Sequence, residues 1–289
     1  MTACLSARIP YNDTDHEPMK PFHRSPLTNP PPSVMSASAM FTKDQIKPAV
    51  ILLYTVIAVS VWYYFCSQSD FRLLRNRHVH PDVWFGSLPL FSAAVLFGLI
   101  PAVIVRWGFR EKLADYGVKI GIVHRTVRSF LLAVPLVTVI AVWTGHNPAF
   151  YNVYPLNETL RQSENPPQGV SPAHPTPANS TYYPVIGPGL FLIHSLFYLG
   201  YYAGWEFLFR GFIQHGLTAR CGLLTAILIQ TLASTMLHYG HPPVEVFASI
   251  IAGIVWGVIA YRTQSVLSGF LQHSLLGIVC DAVLVFGQR

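Results

Sequence analysis

A chain of 289 residues that is 52% hydrophobic and only 11% charged cannot cover a soluble domain, which carries about 25% charged residues. Together with a mean hydropathy of +0.40, this composition predicts an integral membrane protein. The net charge of +6 then reflects Lys and Arg gathered at membrane ends and on the cytoplasmic side, so nucleic acid is not expected as a partner. Cys4, Cys66, Cys221 and Cys280 are scattered without a C-x-x-C spacing, so neither a zinc cluster nor a disulfide framework is expected.

Residues 1–45 are polar, contain the run Pro30, Pro31 and Pro32, and hold no apolar stretch long enough for a signal peptide. Such a segment buries too little apolar surface to offset chain entropy, so it reads as a disordered leader. Met40 stands just before the first apolar run. A helix needs about 20 residues to cross the hydrocarbon core, and on that measure 48–66, 88–105 and 127–144 are the first three expected spans. They form an N-terminal membrane region, 46–144. A Pro-, Asn- and Ser-rich loop at 145–186 follows, with sequons at Asn157 and Asn179. Four further spans, 189–216, 222–238, 244–261 and 265–286, make up a catalytic-type bundle over 187–289. The expected fold is all-α, a multi-pass membrane bundle of about seven spans, placed in the plasma membrane. Arg106, Arg110, Lys112, Lys119 and Arg125 put the loop between spans two and three inside. Arg72, Arg75 and Arg77 run against that orientation.

The chemistry concentrates in the last four spans. Glu206 and Arg210 are spaced i,i+4 in the apolar run Gly204-Trp205-Glu206-Phe207-Leu208-Phe209-Arg210-Gly211, so they share a helix face and can pair. A charge near mid-bilayer costs roughly 2.5–3.5 kcal/mol on insertion scales and marks a functional site. His238 ends the fifth span and precedes Tyr239-Gly240-His241-Pro242-Pro243. Two prolines stop the helix there, and broken backbone in lipid is tolerated only where protein buries it or water reaches it. His273 lies inside the last span, followed by Ser274, Gly277 and Asp281. Asp281 is expected either to hold the second nitrogen of His273 or to approach the membrane surface. His194, His215 and His241 are weaker candidates, as is Glu245, whose carboxylate suits a helix start on electrostatic grounds alone. A carboxylate and imidazoles brought together can activate a water. No G-x-S-x-G is present, which argues against a serine hydrolase.

The order and spacing of these residues resemble the family of CAAX prenyl proteases and bacteriocin-processing enzymes (CPBP). Its motifs E-E-x-x-x-R, F-x-x-x-H and H-x-x-x-N align with Trp205-Glu206-x-x-x-Arg210, Ser234-x-x-x-His238 and His273-x-x-x-Gly277. Leu113-x-x-Tyr116-Gly117-Val118-x-x-Gly121 is similar to the loop before the family's core bundle. Trp205, Ser234 and Gly277 depart from the pattern. The leading Glu, the family's expected base, is the Trp205 position.

The resemblance implies a CAAX-type intramembrane endopeptidase acting on a prenylated or other membrane-proximal peptide. Glu206 is expected to polarise a water, Arg210 to orient it, His238 to serve as base partner, and His273 to donate to the oxyanion. Glu206, His238 and His273 would also be the ligands if a Zn²⁺ ion takes part; a metal-free mechanism is the other option. Nearest pairs among the three are then expected within about 8 Å, given metal–ligand bonds near 2.0–2.2 Å. Helix rise raises a difficulty: a straight fifth span puts His238 roughly 12 Å outward of its own midpoint, Gln230. Three other readings stay open here: a catalytically inactive scaffold that binds hydrophobic peptides, a proton-coupled transporter and a structural membrane subunit.

Overall fold

The computed structural model describes residues 43–67, 86–157, 160 and 187–287. Residues 1–42 of the expected leader, the loop with Arg72, Arg75 and Arg77, most of the Pro-rich segment and the sequon at Asn179 lie outside them, while 43–45 belong to the first helix. All regular structure among the described residues is helical. Helix α1, Lys43–Val61, runs on as a π-helical turn, Trp62–Cys66. Helix α2 spans Leu88–Gly108 and contains two π segments; α3 is Val123–His146. Helix α4, Pro188–Glu206, passes into a π-helix, Phe207–His215, and then α5, Gly216–Cys221. Helices α6 (Leu223–Met236), α7 (Pro243–Thr263) and α8 (Leu267–Phe286) complete the order.

Five of these segments are long and apolar enough to cross a membrane: Gln45–Cys66, Leu88–Gly108, Val123–His146, Pro243–Thr263 and Leu267–Phe286. The expected count of seven is not reached on this measure, for two physical reasons. Helix α4 is long but carries His194, Tyr198, Tyr201, Tyr202 and Glu206, all buried, so its polar groups face protein. Helix α6 has 14 residues and covers only about 21 Å at 1.5 Å per residue, less than a hydrocarbon core of about 30 Å.

The burial pattern is that of a bundle in lipid. Leu53, Val56, Leu131, Leu132, Leu136, Leu224, Leu232, Phe247 and Ile251 are exposed, while Glu206, Arg210, Gln214, Gln230, Gln272 and Asp281 are buried. Apolar surface outside and hydrogen-bonded polar groups inside is the arrangement that a hydrocarbon solvent selects. The protein is an integral membrane protein. Interior amides tie helices together: Gln214 Nε2 donates to the Gly257 carbonyl and Gln230 Nε2 to that of Gly253, each at 2.8 Å. Where α2 crosses α4, small residues allow backbone contact. A Cβ on Gly204 would lie 3.0 Å from the Ala93 carbonyl oxygen and 3.1 Å from Ala94 Cα.

The loop after α2 is fixed at both ends. Lys47 Nζ donates to both Glu111 oxygens, at 2.9 and 2.7 Å, and the Tyr116 hydroxyl donates to Oε2 at 2.5 Å. Further along, Ile122 N donates to Thr263 O and Val266 N to Gly117 O, which pins the loop to the α7–α8 turn. Partial burial by itself would raise the Glu111 carboxyl, but the bonds from Lys47 and Tyr116 outweigh it and hold the group below the ordinary 4.5.

Two outcomes follow from this packing. Gly204→Leu should cost about 1–3 kcal/mol by overpacking, because backbone atoms cannot swing aside. Gly189→Ala, with nothing within 4 Å, should stay within about 0.5 kcal/mol; unfolding in detergent micelles compares them, and equal effects would contradict the crossing described. The depressed Glu111 carboxyl contributes stability that is present above about 4.5 and is lost as pH falls through its folded value. Glu111→Gln should therefore flatten the acid limb of melting temperature against pH. An unchanged limb would show that the Lys47 pair does not contribute.

Candidate functional site

Glu206 closes α4 at the point where the helix widens into π geometry, a feature frequent at functional sites. Its side chain has no exposed area. Oε1 receives Arg210 Nη1 at 3.1 Å and His273 Nδ1 at 3.0 Å. Oε2 has no hydrogen-bond partner among the described residues and lies against α8, where a Cβ on Gly269 would sit 2.5 Å from it. Residue 269 must therefore lack a side chain for the carboxylate to lie there. Arg210 is also buried, with its guanidinium over the Trp256 ring at 5.5 Å.

His273 is held on three sides. Besides Glu206, its ring stacks between Tyr202, at 4.3 Å, and Trp256, at 4.4 Å, with interplanar angles of 39° and 35°. Trp256 is fixed in turn by a chain of hydrogen bonds: its Nε1–H donates to Gln272 Oε1 at 2.9 Å, and Gln272 Nε2 donates to Ser268 Oγ at 2.9 Å. The Ser268 hydroxyl also bonds that of Ser129 on α3 at 2.6 Å. Since Nδ1 of His273 is committed to Glu206, Nε2 is the nitrogen left to meet a substrate.

His238 lies in the turn after α6. Its Nδ1–H donates to the Ser234 carbonyl at 2.9 Å, so Nε2 carries the lone pair in the neutral ring. Trp205 contacts both imidazoles, with ring centroids 5.7 Å from His238 and 6.0 Å from His273. Helix α6 stops at Met236 and His238 stands in the turn Leu237–Gly240 that follows; it is the shared contact with Trp205 that brings it toward His273. The backbone break expected at Tyr239–Pro243 is present, with Gly240 at φ 94° and Pro243 opening α7 at a position that suits proline.

At this break, Glu245 Oε1 accepts from the Tyr154 hydroxyl at 2.6 Å and from His241 Nδ1 at 2.9 Å. The same oxygen lies 3.9 Å from His238 Nε2. Glu245, a weaker candidate on sequence whose carboxylate also suits a helix start, is joined to His241 at i,i+4 spacing.

Residues 188–279 match the family model for type II CAAX prenyl endopeptidase Rce1-like. This part of the chain is similar to CAAX prenyl proteases. No curated protein and no solved structure matches the chain. The Rce1-like region takes in all three motifs and leaves Leu113–Gly121 outside. At the motif-one departure, the Trp205 indole, 3% exposed, packs among Phe97, Tyr201 and Phe209. At the motif-three departure, a Cβ on residue 277 would overlap the Tyr202 hydroxyl, so the tyrosine fills the space beside His273 where the family carries its asparagine.

One expectation changes, and a weaker candidate finds its place. Asp281 does not serve His273; its Oδ2 bonds His194 Nε2 at 2.8 Å, both side chains fully buried, so the pair joins α4 to α8. His215 turns inward, its Nδ1 bonding the Arg210 carbonyl at 2.5 Å, the i,i+5 spacing of the π-helix. The residues expected to ligate a Zn²⁺ ion are Glu206, His238 and His273. Among the described residues no group of three His, Cys, Asp or Glu is placed to hold one, and the Glu206 oxygen that faces His273 already holds a guanidinium.

The Glu206–Arg210 bond predicts a non-additive mutational pattern. Arg210→Met leaves the carboxylate buried beside His273 alone and should cost about 3–5 kcal/mol. Adding Glu206→Gln should recover part of that loss. Unfolding of purified single and double variants in detergent measures it, and strict additivity would show that the two groups are not coupled.

Proposed function

We propose that the protein is an intramembrane endopeptidase that hydrolyses a prenylated or other membrane-proximal peptide with a water activated by carboxylate and histidine. The observation that carries this reading is the meeting of His238 and His273, from different elements, on the Trp205 indole, with Glu206 behind one and Glu245 beside the other. The similarity of residues 188–279 to CAAX prenyl endopeptidases supplies the reaction class and the substrate chemistry. Each imidazole has Nδ1 committed to an acceptor and Nε2 left over, an arrangement suited to general acid–base work. Glu206, fixed by Arg210 and His273 and shut off by Gly269, supports His273.

A second reading has its own observation: the indole at position 205 stands where the family carries its base, which favours a peptide-binding scaffold without turnover. One assay separates the two. Wild-type protein in lipid nanodiscs, incubated with a farnesylated CAAX peptide, should release the C-terminal tripeptide, detected by mass spectrometry. His238→Ala and His273→Ala should each lower kcat by about 10²–10⁴-fold, the range for loss of an acid–base group. Saturable peptide binding with no release by the wild type would favour the scaffold.

A further inference from the structure

Resting on the endopeptidase reading, we propose that Glu245 is the carboxylate base of this chain and works with His238 in place of the missing carboxylate at position 205. The geometry singles it out. Position 205 offers an indole, and Glu206 is turned toward α8 and tied to Arg210 and His273. Glu245 reaches His238 from the opposite side, off the first turn of α7.

The spacing at His238 suits a shared water. His238 Nε2 and Glu245 Oε1 are 3.9 Å apart, too far for a direct hydrogen bond, and with His238 neutral both are acceptors. A water about 2.8 Å from His238 Nε2 donates one hydrogen to the imidazole and turns the other to the carboxylate, where Oε2 is the oxygen with no partner among the described residues, leaving an oxygen lone pair for attack. Tyr154 and His241 hold the carboxylate in place through Oε1, and Oε2 has no partner among the described residues. The cluster is slightly open, with side-chain exposures of 16% for His238, 22% for His241 and 15% for Glu245, against none for Glu206.

The step balances without a further reactant. The water oxygen forms a bond to the scissile carbonyl carbon as one of its protons passes to the Glu245 carboxylate. The resulting tetrahedral species breaks its C–N bond, and the bonding pair leaves on nitrogen. Glu245 returns the proton to that nitrogen and is a carboxylate again. The water's other hydrogen stays with the new carboxyl group. The products are one acid and one amine.

The test uses full-length protein in nanodiscs with the farnesylated peptide, comparing wild type, Glu245→Gln and Glu245→Asp for kcat, KM and melting temperature. In Glu245→Gln the amide oxygen can still accept from Tyr154 and His241, so packing should be retained. Expected are a fall in kcat of at least about 100-fold, KM within about threefold, an unchanged melting temperature, and partial recovery of kcat in Glu245→Asp. A structural role would lower the melting temperature of both variants together without that recovery, and this result would overturn the proposal, as would failure of Glu245→Gln to fold. Cleavage by Glu245→Gln within about threefold of wild type, with His238→Ala inactive, would overturn the role of Glu245 and leave the endopeptidase reading standing. A wild type that does not cleave would remove both.

Discussion

The arrangement of this bundle depends on one bond, Arg210 Nη1 to Glu206 Oε1 inside a ring of aromatic side chains. Burying either charge alone would cost several kcal/mol, and a pair recovers that only if its remaining bonding capacity is used. Here that capacity is only partly used: the carboxylate also takes His273 Nδ1 and the guanidinium lies over Trp256, while Glu206 Oε2 and Arg210 Nε have no partner among the described residues. Glu206 and Arg210 come from one continuous helical run, while Trp256 belongs to α7 and His273 to α8. The pair therefore fixes the relative placement of three elements, and His273 inherits its ring orientation from them.

The site is assembled around tolerance of irregular backbone. The α4 helix widens to π geometry directly after Glu206, and α6 ends early so that the chain doubles back at His238. Both irregularities are surrounded by protein: the π segment is buried from Phe207 to Gln214, and the turn is tied by Tyr154, His241 and Glu245. In lipid this is the condition under which non-ideal helices persist. The result is that groups from α4, the α6–α7 turn and α8 converge on a single indole.

Much of this was legible in the sequence. Charged and imidazole side chains in apolar runs mark Glu206, Arg210, His238 and His273, because hydrocarbon penalises them unless they are used. The proline pair at 242–243 foretold the break. Other features left no local trace. The π-helix and the short α6 are set by packing between helices, so an apolar run of ordinary length concealed both. Tyr202 and Trp256 hold His273 by stacking, yet in sequence they are two aromatics among many. Asp281 shares a helix with His273, yet its partner, His194, is 87 residues away along the chain.

The tyrosine at 202 and the glycine at 277 form an interlocked exchange. With the phenol in place no larger residue fits at 277, and with the glycine in place loss of the phenol would leave a void beside His273. Either position changed first passes through a worse-packed intermediate. Positions 202 and 277 therefore form one packing unit, in which a larger side chain at 277 requires a smaller one at 202.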